Sequence, residues 1–178
     1  MAILTILTYP DARLAQKSKP VTKFGPELKK LCADMLETMY DAPGIGLAAP
    51  QVDQHIQLVV IDIDYDSSED EPPVHTNQNP RIFINAKIVK KEGEILFKEG
   101  CLSIPGEYEE VLRSEKVTVE YQDENGIAHS LEAEDLLAVA IQHELDHLEG
   151  RLFIDRLSFV KSRSMKRRIK KELEEEQE

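Results

Sequence analysis

Gln142-His143-Glu144-Leu145-Asp146-His147 is the stretch from which the architecture and the chemistry of this chain are best read. Two imidazoles four residues apart project from one face of a helix, the spacing at which both can grip a single metal ion. Glu144 sits at the edge of that face, where its carboxylate can reach a metal-bound water and take its proton. The spacing suggests a metal-assisted hydrolase. Its surroundings favour a buried helix. Glu134 and Asp135 place acids in a first turn, Leu136, Leu137, Val139, Ala140, Ile141, Leu145 and Leu148 give a broad apolar surface, and Gly150 falls where a stop belongs. Buried histidines need partners, and a metal is one way to satisfy a facing pair.

His143 and His147 supply two ligands, whereas a catalytic site usually has three and an open position for water. The chain has two cysteines, too few to staple a small secreted fold, so a reduced compartment is the expected setting. Cys32 shares a helical apolar stripe with Leu28, Leu31, Met35, Leu36 and Met39 and reads as a core thiol in a helix over 26–40. Cys101 is different. It stands in Glu99-Gly100-Cys101-Leu102-Ser103-Ile104-Pro105-Gly106, bracketed by glycines and a proline after a strand-like 94–98, and is the best third candidate ligand.

At 178 residues the chain is most simply one catalytic domain spanning 1–178, large enough to close a core around a buried helix. Its opening residues lack the basic lead of a signal peptide, and no apolar run reaches membrane-spanning length, so a cytoplasmic protein is expected. A formal charge of -12 argues against general attraction to DNA or to anionic lipid.

The remaining organisation is mixed. A strand with alternating pattern is expected over 56–63, and an acidic, proline-bearing stretch over 65–80 reads as a solvated surface loop with no catalytic part. Strand-like pieces follow at 81–85, 88–89 and 95–98. Segments 116–122 and 127–132 flank Asp123-Glu124-Asn125-Gly126, where Asn-Gly accepts the positive φ angles of a tight hairpin turn. Ahead of these, Gly44-Ile45-Gly46-Leu47-Ala48-Ala49-Pro50-Gln51 follows the first helix. Its two glycines permit close backbone approach, and Gln51 offers an amide able to donate to a developing oxyanion. The proline and paired alanines break any phosphate-loop pattern.

Together, Gly44-Ile45-Gly46-Leu47-Ala48-Ala49-Pro50-Gln51, Glu99-Gly100-Cys101-Leu102-Ser103 and Gln142-His143-Glu144-Leu145-Asp146-His147-Leu148-Glu149-Gly150 resemble, in order, the three signature motifs of the peptide deformylase family. The resemblance spans nearly the whole chain. It implies an α+β fold in which a central metal-binding helix is enclosed by mixed or antiparallel sheets, with an N-terminal helix and a C-terminal helix. It also implies removal of the formyl group from the N-terminal formylmethionine of new polypeptides, releasing formate. By the same resemblance Cys101, His143 and His147 bind a divalent metal whose fourth position holds water, and Glu144 accepts the proton as that water attacks. The Gln51 amide and the Leu102 backbone N–H then help stabilise the oxyanion. Similarity to the family places the methionine side chain along Ile45, Phe97, Leu136, Val139 and Ala140, while the glycine loop at Gly46 pairs with the extended peptide. Leu136 and Val139 read equally well as core packing.

Ligand softness in a Cys-His-His site favours zinc. The resemblance instead implies ferrous iron in the cell, with zinc, nickel or cobalt as replacements. A general metallopeptidase shares the His-Glu-x-x-His pentad, but the downstream third ligand of such enzymes has no counterpart after Gly150. A noncatalytic metal-stabilised binding protein is the other alternative, and under it replacing Glu144 changes nothing measurable. Several positions depart from the family pattern. Asp53 stands where many members have glycine, and Tyr108 where some have arginine, leaving Arg113 as either a substrate anchor or a surface charge. After Ser158 a charged helical appendage is expected over 158–178. Its basic run over 161–171, from Lys161 to Lys171, is either a solvated face or a dock for ribosomal RNA.

Overall fold

The computed structural model describes residues 2–177, and Met1 and Glu178, the ends of the expected domain and appendage, lie outside the described residues. Among the described residues three α-helices, α1 (Pro26–Asp41), α2 (Asp135–Leu148) and α3 (Phe159–Glu176), accompany nine strands, and every pairing between those strands is antiparallel. This is an α+β fold. One sheet of five strands runs in the order β1 (Gly46–Ala48), β2 (Leu58–Ile61), β5 (Arg81–Glu92), β8 (Lys116–Gln122) and β9 (Ala128–Glu134). Two smaller sheets are ribbons: β3 (Asp66–Ser67) with β4 (His75–Thr76), and β6 (Ile95–Cys101) with β7 (Ile104–Arg113).

The large sheet carries a helix on each face. Leu58 and Val60 join Leu28, Cys32, Met35 and Met39 of α1, whereas Val59, Ile61 and Phe83 join Ala138, Ala140 and Ile141 of α2. Strand β2 is therefore buried throughout, which corrects the half-exposed alternating strand expected over 56–63. Its uninterrupted Leu-Val-Val-Ile is what a strand covered on both faces requires. Cys32 is a core thiol, 1 % exposed, as its place in the apolar stripe predicts.

Helix α2 lies between that sheet and the β6–β7 ribbon, which bonds to its other side through Glu99, Cys101 and Arg113. Gly150 ends it as expected. With φ +74° it lets the Gly150 N–H reach the His147 carbonyl at 3.1 Å and the Arg151 N–H reach that of Asp146 at 2.9 Å. Helix α3 starts at the predicted Ser158, whose side chain caps the Lys161 N–H, and docks through buried Met165 and Ile169.

Three strand readings change. Segments 81–85 and 88–89 are one strand, β5, interrupted by a bulge at Asn85, which takes φ 52° and bonds through its amide to Val21 and Gln122. Residues 104–113 form a strand despite Pro105-Gly106, a pair that reads as a turn. At the hairpin, Gly126 takes φ +80° without Asn125 joining it, and the Asp123 carboxylate accepts from the Asn125 and Ile127 N–H groups. The Asp123 side chain thus fixes the turn, in place of two left-handed residues.

The acidic excursion is not a bare loop, since β3 and β4 pair within it. Among the described residues no helix is long and apolar enough to cross a membrane.

Candidate metal centre and cleft

Side chains from α2 and the end of β6 converge. The ligand atoms of Cys101, His143 and His147 all lie within 4.8 Å of one another, with Cys101 Sγ 3.5 Å from His147 Nε2. Helical spacing stacks the two imidazoles, and the ribbon turn brings the sulfur to them. His143 Nδ1 donates to Glu99 Oε1 at 2.7 Å, which turns Nε2 toward the sulfur. Burial pushes the His147 imidazole well below its ordinary pKa, and neighbouring His143 pushes the same way, favouring the neutral form that can ligate. One cysteine sulfur and two imidazoles, converging at a buried centre, make a donor set that fits a divalent transition metal.

Glu144 faces the same space. Its Oε1 is 3.9 Å from His143 Nε2, and its Oε2 is buried without a hydrogen-bond partner among the described residues. Burial raises its carboxyl pKa to about 7, in part opposed by the charge of His143. Gly46 makes room for it, because a Cβ there would lie 2.5 Å from Glu144 Oε1. The close approach that the glycine loop permits is thus to this carboxylate as well as to the backbone of β2.

Gln51 sits in a short 3-10 turn, Ala49–Val52, and is 1 % exposed. Its Oε1 accepts from the Ala48 N–H at 2.8 Å, and its Nε2 lies 3.0 Å from Ser103 Oγ and 3.6 Å from Cys101 Sγ. Asp53 closes that turn with φ 62°, so the left-handed conformation is kept where the residue is not glycine. Arg13 and His55 hold its carboxylate at 2.9 and 3.2 Å.

A cleft of about 680 Å³ opens over this centre. Ile45, Gly46, Phe97, Leu136, Val139 and Ala140 all line it, together with Gln51, Cys101, Leu102, His143 and Glu144. His147 closes the centre from beneath and is not part of the lining. Another cavity of about 510 Å³ lies behind α2 and includes none of the three candidate metal ligands.

Arg113 is neither a substrate anchor nor a surface charge. It is 5 % exposed, forks onto Glu99 at 2.7 and 2.8 Å, and reaches Asp146 Oδ2 at 2.7 Å. Arg156 holds the other oxygen of Asp146 at 2.6 Å. Burial alone would raise both carboxyls. The Arg113 bonds to Glu99, and the Arg156 and Arg113 bonds to Asp146, outweigh it and hold both below their ordinary values. This network behind His143 was missed in the sequence. The signal was there in part, since Glu99 is two residues from Cys101 on one strand face and Asp146 lies inside the pentad.

Residues 3–163 match the family model described as polypeptide deformylase. The chain belongs to that family. Its members are metal-dependent hydrolases. Peptide deformylases of Neisseria meningitidis and Chromobacterium violaceum are each 50% identical to it over 171 residues, 96% of this chain and 96% of theirs. The crystal structure of a peptide deformylase from Legionella pneumophila superposes with a TM-score of 0.86 at 42% identity, covering 98% of both chains. A deformylase from Synechococcus elongatus, solved in complex with actinonin, gives 0.82 at 44% identity over 91% of this chain and 85% of that one.

Proposed function

We propose that this member of the deformylase family removes the N-terminal formyl group from formylmethionine of newly made polypeptides, releasing formate and a free methionyl amine. The observation that carries the reading is Glu144, buried with one oxygen unpartnered, facing a cleft whose floor gathers Cys101, His143 and His147. Those three residues hold the cation, which when bound polarises the formyl carbonyl and acidifies the attacking water.

Glu144 does the proton work. Its Oε2 takes a proton as water oxygen bonds to the formyl carbon, and returns it to the methionyl nitrogen as the carbon–nitrogen bond breaks. A carboxyl raised to about 7 by burial serves in both directions near neutral pH. The Gln51 amide and the Leu102 backbone N–H steady the developing oxyanion, each such donor being worth about 3 kcal/mol. Ile45, Phe97, Leu136, Val139 and Ala140 form the apolar slot for methionine, and Gly46 offers backbone to the extended peptide.

Iron(II) is the proposed native metal, one per chain, with zinc, nickel or cobalt able to replace it. Metal analysis of anaerobically purified protein tests this, and protein without iron would overturn it. Incubation with formyl-Met-Ala-Ser and with its unformylated counterpart tests the activity. Formate from the first, with no cleavage fragments from either, is the expected result, while fragments would favour a peptidase.

The chain is proposed to act as one catalytic domain, with the helix of 158–178 an appendage anchored by Met165 and Ile169. Its basic run over 161–171 is proposed to meet the ribosome. Lys161 and Arg168 are engaged by Glu109 and Glu107, so the exposed Arg167 and Lys171 are the better probes. Reversing both charges should weaken ribosome co-sedimentation and spare peptide turnover, and an unchanged sedimentation profile would leave a solvated helix.

A further inference from the structure

The acidic excursion over 65–80 is fastened to the cleft. Tyr65, at its start, donates its hydroxyl to the Gly44 carbonyl at 2.8 Å. The ring of Tyr65 meets that of Tyr40 edge-on at 4.8 Å, and His75, returned by the β3–β4 pairing, packs against both rings at 5.4 and 5.7 Å. Asp62 ties the group together. It is fully buried, accepts from the Tyr40 hydroxyl at 2.5 Å and from the Asn79 N–H at 2.8 Å, and its own N–H donates to the Ile45 carbonyl at 2.8 Å.

Gly44 and Ile45 are therefore gripped from behind while they line the cleft in front. Gly44 also abuts the opposite lip, since a Cβ on it would lie 2.8 Å from Leu102 Cδ1. Gly46 follows, leaving space for the Glu144 carboxylate. A shift of the Gly44 carbonyl would thus widen the gap to Leu102 and move the strand edge on which a peptide would lie.

We propose that Tyr65 is a positioning residue for substrate binding, acting through its hydroxyl on Gly44 to fix the glycine lip of the cleft. The hairpin of 66–76 supports it by bringing His75 back onto the Tyr40–Tyr65 pair. This rests on the deformylase reading, because the lip matters where a formylated peptide lies along it. The acidic side chains of the excursion are exposed, and of them Asp66 accepts from the Asn77 amide at 2.7 Å beside the β3–β4 pairing.

The variant Tyr65→Phe keeps the ring stack and removes one hydrogen bond. For formyl-Met-Ala-Ser its KM should rise about fivefold with kcat within about twofold, the scale expected from a single neutral hydrogen bond. Formylmethionine alone has no following peptide to lie along the lip, and its KM should be unchanged. Backbone amides over 44–47 should exchange hydrogen faster in the variant, while those of α2 keep their protection. An unchanged KM for the tripeptide, a kcat that falls together with melting temperature, or unchanged exchange over 44–47 would each overturn the role given to Tyr65. No formate from the wild-type, metal-loaded protein would instead defeat the deformylase reading, and the exchange measurement would still decide whether Tyr65 fixes the lip.

Discussion

His143 Nδ1 and Glu99 Oε1 lie 2.7 Å apart, both side chains buried, at the junction between the metal helix and the ribbon that delivers Cys101. The bond orients the ring that faces the metal space, and Arg113 fixes Glu99 from behind with a two-pronged grip.

Glu99→Ala should lower metal affinity by about 10- to 100-fold, the usual cost of losing an outer partner of a ligating histidine. Competition with a chromogenic chelator reads this directly. Affinity equal to wild type would show that Glu99 does not position His143 for the metal.

Gly46→Ala separates fold from chemistry. The new Cβ would lie 2.5 Å from Glu144 Oε1 and 2.9 Å from its Cδ and Cγ, so this buried side chain must turn into the cleft it lines and the carboxylate is displaced. Turnover of a formylated peptide should fall by about 100-fold, with metal content and melting temperature near wild type. Full activity would mean that the position of the carboxylate is not critical.

The amino-terminal segment carries a pH dependence remote from the metal. Asp34 accepts from Lys30 Nζ at 2.8 Å and from the Ala2 N–H at 2.7 Å, and the Lys30 bond leads in holding its carboxyl below the ordinary range. A depressed carboxyl contributes stability that is complete above its unfolded value, about 3.9, and is lost as pH falls through the lower folded value. The segment also reaches the site, for the Leu7 N–H bonds to the Gln51 carbonyl and the Tyr9 N–H to that of Ser103. Melting curves below pH 4 should therefore fall less steeply for Asp34→Asn than for wild type, from a lower plateau at neutral pH. Parallel curves would show that Asp34 contributes nothing to acid sensitivity.

Local patterns were legible where one physical rule decided them. The i, i+4 histidines, Ser158 and Gly150 at helix ends, and the apolar stripe of α1 each follow from helical geometry, and each stands where it was read. Long-range relations were not. Arg113 and Asp146 are 33 residues apart, and nothing local to either says that they meet. Segments 81–85 and 88–89 read as separate pieces, yet they join in one strand through a left-handed bulge at Asn85 that Val21 and Gln122, distant in sequence, stabilise. Pro105-Gly106 hid β7, and the acidity of 65–80 hid Tyr65 and His75, which turn back onto Tyr40.

X-ray absorption on the zinc-loaded protein examines the convergence of Cys101, His143 and His147 most directly. One sulfur at about 2.3 Å and two imidazole nitrogens at about 2.0–2.1 Å are expected, with the sulfur contribution gone in Cys101→Ser. A wild-type shell of nitrogen and oxygen only, with no sulfur scatterer, would contradict the account.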